Sequence, residues 1–241
     1  MCLEEALVRV KKYLMMETDS SIDISRLLRD EDEENISDDE EFTAPIVLNL
    51  IENAWLNEKL SAEILPHKSI YVDAMYQQIL TMEDNISKLP SDDIRIDIYQ
   101  LELDRIRYII TSYLRIRLEK IERFTKQILQ QEAQRSVDDQ YLSFHELQYA
   151  KSFQELNEKH LNLVLKKMPA NVASLSHSQT LIRPNLEHFV FIRSRVSQDG
   201  LFIPDIAGNE EREVKLTENS QFILPYNSVS ELVKNNSVQL I

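Results

Sequence analysis

Apolar residues recur every three or four positions through most of the chain, the spacing of amphipathic helices, and only the C-terminal quarter changes to alternation. Leu3, Leu7, Val10 and Leu14 predict a short helix over 1–16. Residues 17–42 hold few apolar anchors and are predicted to be a mobile linker. A helix is expected from Thr43 to Pro45 onward, because Thr43 can cap it and Pro45 suits a first turn that needs no N–H there. Ile46, Leu50, Ala54 and Trp55 form its apolar face, and Pro66 breaks the chain. A second helix over about 68–88 has the stripe Ile70, Ala74, Met75, Ile79 and Met82, and Leu89 and Pro90 end it.

The dominant element follows. Residues 92–131 contain neither Gly nor Pro, and Ser91 leads into them with Asp92 and Asp93, two acids that favour a helix N-terminus. Leu103, Ile106, Ile110, Leu114, Leu118 and Ile121 make one stripe; Ile94, Ile98, Leu101, Tyr108 and Ile109 widen it. At 1.5 Å per residue such a helix spans roughly 60 Å, and apolar residues on more than one side predict packing partners on more than one side. A polar loop covers 132–142. Ser143 with Glu146 forms a capping box for a helix through Phe144, Leu147, Ala150, Phe153, Leu156, Leu161 and Leu165 to Met168, stopped by Pro169. Residues 169–186, rich in Ser, Asn and Pro, read as a linker.

From Glu187 the pattern is that of strands. Residues 188–196 alternate, 201–205 form an edge-like strand because of Pro204, 207–209 are a turn, and 213–218 and 221–226 are further strands. Residues 228–234 read as one or two helical turns and 237–241 as a last strand. The fold class is therefore mainly α: an N-terminal helical bundle domain (43–168) with one very long helix, then a small C-terminal β-rich domain (187–241). Residues 1–42 form an N-terminal extension.

Composition sharpens this picture. Two glycines in 241 residues leave no Gly-rich phosphate loop and few tight turns. Hydrophobic residues at 43% and charged residues at 28% suit a soluble globular chain with a real core. The formal charge is −14, yet residues 17–41 hold twelve acids against Arg26 and Arg29, so the acidity is mostly local and the folded part is near neutral. Ser37, followed by Asp38, Asp39 and Glu40, fits an acid-directed kinase, although a solvated acidic tail explains the same run. Such a chain is a poor general binder of nucleic-acid phosphates. The single cysteine, Cys2, forms no internal disulfide, which fits a reducing compartment. The N-terminus lacks the apolar core of a signal peptide, and no run approaches the ~20 apolar residues of a membrane span.

No catalytic constellation emerges: no P-loop, no Rossmann glycines, no HExxH. The five histidines lie in different elements without metal-ligand spacing, and no cofactor is expected. The long helix carries Arg105, Arg107, Arg115, Arg117, Lys120, Arg123 and Lys126. A DNA-contacting stripe is one reading. Structural or intersubunit ion pairs are favoured, because these cations spread around the helix and arginine suits bidentate carboxylate contacts. For Trp55, core packing against the second helix is favoured over a binding hot spot, and Tyr108 and Tyr113 are read as core or interface whose hydroxyls need partners. Val238, Leu240 and Ile241 make an apolar ending that predicts docking, within the β domain or, as favoured here, within an assembly.

Five segments, in order and at suitable spacings, carry a family resemblance: LIENAWLNEKLSAEILP (50–66), LELDRIRYIITSYLRIRLEKIERF (101–124), KKMP (166–169), FVFIRSRV (189–196) and SVQLI (237–241). Together they resemble the Sld-five-type subunit of the GINS complex, from about residue 46 to the C-terminus. The resemblance implies a helical domain followed by a small β domain, and a non-catalytic scaffold role in DNA replication within the nucleus. It implies the three other GINS subunits as partners in a heterotetramer. Through that complex it implies the MCM ring and its cell-division-cycle partner protein, in initiation and fork progress. Direct DNA contact stays open, and residues 1–45 carry none of the likeness.

Overall fold

The structure, a computed structural model, describes residues 44–90, 93–136, 139–168, 181–204 and 211–241. The expected N-terminal helix, the acidic linker with Ser37 and most of the 169–186 linker lie outside the described residues. Four helices come first: α1 (Ala44–Leu60), α2 (Ser69–Ser87), α3 (Arg95–Glu132) and α4 (Phe144–Leu165). The C-terminal part holds β1 (Phe189–Ser194), β2 (Gln198–Pro204), β3 (Glu211–Leu216), β4 (Gln221–Pro225), α5 (Tyr226–Lys234) and β5 (Val238–Leu240).

The chain divides into two compact units, and the divide cuts through α1 after Trp55 and α3 after Arg115. In the first unit, α1, α2 and the N-terminal half of α3 bury one another's stripes. Val47, Ile51, Tyr71, Val72, Met75, Ile79, Leu103, Ile106, Ile109, Ile110 and Tyr113 form its core. The inward face of α1 centres on Val47 and Ile51, one position from the expected Ile46 and Leu50, which are only partly covered.

Of the apolar set that was to widen the α3 face, only Ile109 is buried. Ile94, Ile98, Leu101 and Tyr108 stay at the surface, Ile94 at 73% and Leu101 at 75% exposure. The helix starts at Arg95, three residues late, where the Asp93 carboxylate accepts the Arg95 N–H at 3.0 Å as a cap. It also departs from helical geometry at Phe124 (φ −117°, ψ 23°). The Thr125 hydroxyl beside it donates to the Ile121 carbonyl at 2.6 Å, a side-chain bond of the kind that bends helices.

The second unit has two cores. Ile64, Ile121, Ile128, Leu142 and Ala150 join the end of α3 to α4. Phe144 and Leu156, expected on the inward stripe of α4, are exposed. Six residues beyond buried Ala150, Leu156 lies some 240° around the helix, at 100° per residue. The other core lies under a three-stranded antiparallel sheet of order β4-β1-β5, with Val190, Ile192, Leu224, Tyr226, Val229, Val233, Val238 and Leu240. Along β1, Val190, Ile192 and Ser194 face in while Phe189, Phe191 and Arg193 face out. Strands β2 and β3 form a separate antiparallel pair, with Leu201 opposite Val214. Helix α5 begins on Tyr226, directly after β4 and two residues ahead of expectation. It ends where Asn236 enters the left-handed region (φ 55°), which asparagine tolerates.

Candidate functional site

Sequence reasoning favoured structural or intersubunit ion pairs for the basic run of α3. Its most buried member, Arg117, forms such pairs inside the second unit. The inward stripe of α3 runs Leu103, Ile106, Ile110, Tyr113, Arg117, Ile121; Arg117 takes the place expected for Leu118, which is exposed. All five guanidinium N–H groups are used. Nε and Nη2 form a bidentate pair with Glu146 at 2.8 and 2.9 Å. Nη1 donates to Glu58 Oε2 at 3.2 Å and to the Leu65 carbonyl at 2.7 Å, and Nη2 donates to the Tyr141 carbonyl at 2.8 Å. Lys120, one turn on, donates to Glu58 Oε1 at 2.9 Å, Ser61 Oγ at 2.7 Å and the Glu63 carbonyl at 2.9 Å. Two cations thus balance Glu58 and Glu146, and the group as a whole is neutral. Neutrality and saturated donors are what make a buried ion cluster tolerable.

The electrostatics follow from this packing. Burial works to raise the Glu146 carboxyl, but the charge and hydrogen bonds of Arg117, the Ser143 N–H and nearby His67 outweigh it and hold Glu146 below the usual carboxylate range. Burial, helped by Arg117, lowers the Lys120 ammonium despite Glu58 beside it. Glu146 also completes the capping box with Ser143 that the sequence predicted. Glu58 went unnoticed although a signal was present. Counting by helical turns from Val47 and Ile51, the apolar face of α1 passes Trp55 and arrives at Glu58, so a carboxylate sits where a core residue is due.

The cluster shapes the 61–68 segment between α1 and α2. Held by Arg117 and Lys120, it puts Ile64 into one core and Leu65 into the other. Glu63 on this segment receives Lys234 at 3.1 Å, and the Tyr226 hydroxyl lies 3.5 Å away. Burial together with the carboxylates of Glu63 and Glu58 pushes the Tyr226 hydroxyl pKa upward. Asn57, buried at the end of α1, accepts the Leu240 N–H at 2.9 Å through its side chain.

The remaining sequence candidates separate into several settings. Trp55 is partly buried on α3 as well as in the core with α2: its indole N–H donates to Ser112 Oγ at 2.9 Å and its ring meets Tyr108 edge-on at 6.3 Å. Tyr113 is buried, and its hydroxyl accepts the Lys68 N–H at 3.3 Å. Arg105 is exposed and pairs with Glu52 at 2.6 Å and Glu102 at 2.9 Å; Arg107 pairs with Glu83 and with Asp104. Arg115 is exposed and faces no carboxylate among the described residues. Val238 and Leu240 are buried in the chain's own β core, paired to Ser194 and Ile192 of β1. Ile241 is half exposed, its N–H bonded to the Phe191 carbonyl at 3.1 Å.

Among the described residues no group of His, Cys, Asp and Glu side chains is arranged to hold a metal ion. Nor is any helix there long and apolar enough to cross a membrane.

A helical bundle followed by a small β unit defines a class that the family comparisons identify as GINS complex proteins. Residues 67–165 match the GINS complex protein helical bundle domain, and residues 184–241 match the C-terminus of DNA replication complex GINS protein SLD5. Proteins named DNA replication complex GINS protein SLD5 are similar over most of their length. That of Rattus norvegicus is 33% identical over 217 residues, 89% of this chain and 97% of the relative. That of Xenopus laevis is 34% identical over 213 residues (87% and 96%), and that of Arabidopsis thaliana 30% over 209 (80% and 90%). The chain belongs to the SLD5 family of GINS complex proteins.

Proposed function

We propose that this chain is a non-catalytic scaffold subunit of a heterotetrameric GINS assembly in the nucleus, built with the three other GINS subunits. Through that assembly it works with the MCM ring and its cell-division-cycle partner protein in initiation and elongation of DNA replication. Family membership supports the class, and one structural observation carries the scaffold role. The start of α3 leaves Ile98, Leu101 and Tyr108 exposed, with Ile94 just ahead of it, although its opposite face is packed. Clustered exposure of large apolar side chains marks a surface made for a protein partner.

The alternative, a DNA-contacting stripe on α3, is opposed by the geometry. Arg105, Arg107, Arg117 and Lys120 are already committed to carboxylates, and Arg117 is inaccessible.

Co-expression with tagged copies of the three other GINS subunits tests the proposal. A single species of equal stoichiometry by light scattering, absent when this chain is omitted, is the expected result. A chain that ignores those partners, or that binds duplex DNA with a steep salt dependence by itself, would overturn it.

A further inference from the structure

The three-stranded sheet has an outward face that its own core does not use. Its central strand, β1, turns Phe189, Phe191 and Arg193 outward while Val190, Ile192 and Ser194 point into the core. Phe189 and Phe191 are 57% and 61% exposed, and Ile223, paired with Phe191 across β4, is exposed as well. Gln221 of β4 and Gln239 of β5 stand on either side of Arg193.

We propose that this sheet face is a binding site for single-stranded DNA, with one base stacked on Phe189, the next on Phe191, and the adjoining backbone phosphate paired with Arg193. The choice of DNA over RNA rests on the replication role proposed above.

Three observations point to this ligand. Side chains at alternate positions of a strand stand ~6.8 Å apart, about twice the 3.4 Å step between neighbouring bases of a duplex strand. A duplex cannot open that step and keep its own stacking, whereas a single strand can, laying each base on its own ring. Aromatic rings presented by a sheet are the means by which sheet-built modules hold unpaired bases. Charge agrees with the rings. Arg193 is exposed and has neither a hydrogen bond nor an ion pair among the described residues. No outward position of β1, β4 or β5 carries Asp or Glu, in a chain with 41 acids against 27 lysines and arginines. A face that keeps acids away from an unpaired arginine suits a polyanion. The Gln221 amide beside it offers both a donor and an acceptor to a base edge. The site does not restore a DNA-contacting stripe on α3, because its spacing admits single strands and not duplex.

The test follows the fluorescence anisotropy of a labelled short oligothymidylate, titrated with the chain co-purified with the three other GINS subunits and with the chain alone. Binding at low salt is expected, and a duplex of the same length is expected not to compete. Phe189→Leu and Phe191→Leu keep an apolar surface but lose the ring, and each is expected to weaken binding at least about fivefold. Phe191→Tyr keeps the ring and is expected to bind as wild type does. Arg193→Gln is expected to shallow the log–log salt dependence by about 0.7. These side chains lie outside the core, so every variant is expected to melt at the wild-type temperature and to enter the assembly. Absence of binding in both preparations overturns the inference. So does binding that the leucine variants leave unchanged, or an oligouridylate held more tightly than the oligothymidylate. Loss of assembly in Phe189→Leu or Phe191→Leu also overturns it, by showing that a protein covers this face. Each of these results leaves the scaffold role standing. A wild-type chain that joins no partner overturns the scaffold role instead, and the titration of the chain alone then decides this inference.

Discussion

Arg117 shows how much one buried charge can decide. Its five donors are saturated by two carboxylates and two carbonyls, so truncation strands Glu146 in the interior and leaves Glu58 with Lys120 alone. Arg117→Leu is expected to cost about 3–5 kcal/mol, a large fraction of the roughly 5–15 kcal/mol that holds a domain folded. Denaturant unfolding of the purified chain measures it. Arg117→Lys keeps the charge but not the planar fork, and is expected to recover only part of the loss. The same pair sets an acid limit. The folded-state pKa of Glu146 is depressed from its ordinary 4.5, so the folded chain binds that proton more weakly than the unfolded one. The stability it contributes is complete above pH 4.5 and is lost as pH falls through the depressed value. A melting temperature that declines below pH 4.5 in wild type, and declines less steeply in Glu146→Gln, is the expected outcome. By contrast Arg105 forms exposed pairs, and Arg105→Gln is expected to shift stability by at most ~1 kcal/mol. Sequence reading noted that these cations spread around the helix but did not set each one against the phase of the apolar stripe, so it could not separate these arginines. At Arg117 and at Glu58 the phase of the apolar stripe held the information.

Among the elements, the closing strand is the sharpest case. Its apolar residues marked it as docked, but a sequence cannot say whether its cover comes from the same chain. The structure places Val238 and Leu240 in the core of their own β unit and gives the Leu240 N–H to Asn57. Leu240→Ala is expected to cost about 2–5 kcal/mol. Asn57→Ala, which leaves that buried N–H without its acceptor, is expected to cost about 1–3 kcal/mol. Both are measured by unfolding, with increased amide exchange across β5. Helix existence and order were legible from Pro66, Pro90, Pro169 and the Ser143 capping box, because these act through local backbone chemistry. Ends moved by a few residues where a cap competed, as at Asp93. The break in helical geometry at Phe124 sits beside the Thr125 hydroxyl bond to the Ile121 carbonyl, and no hydrophobic period records it. The division of the strands into a three-stranded sheet and a separate pair was equally hidden, since pairing is a long-range choice that alternation does not encode.

At the scale of the whole molecule, the apolar residues fall into two classes that the sequence had merged. Those on the core face of α3 are interrupted at Arg117, where the interior turns polar, and resume at Ile121 and Ile128. Those at Ile94, Ile98, Leu101 and Tyr108 have no cover among the described residues. The sequence predicted partners on more than one side of this helix, but not which side the chain itself would fill. The most direct test of this division is hydrogen exchange on the free chain and on the chain co-assembled with the three other GINS subunits proposed as its partners. Protection gained over α3 residues 94–108, with the segment around Arg117 equally protected in both, is the expected result. Exchange over 94–108 that is the same in both states would contradict the assignment of that face to a partner.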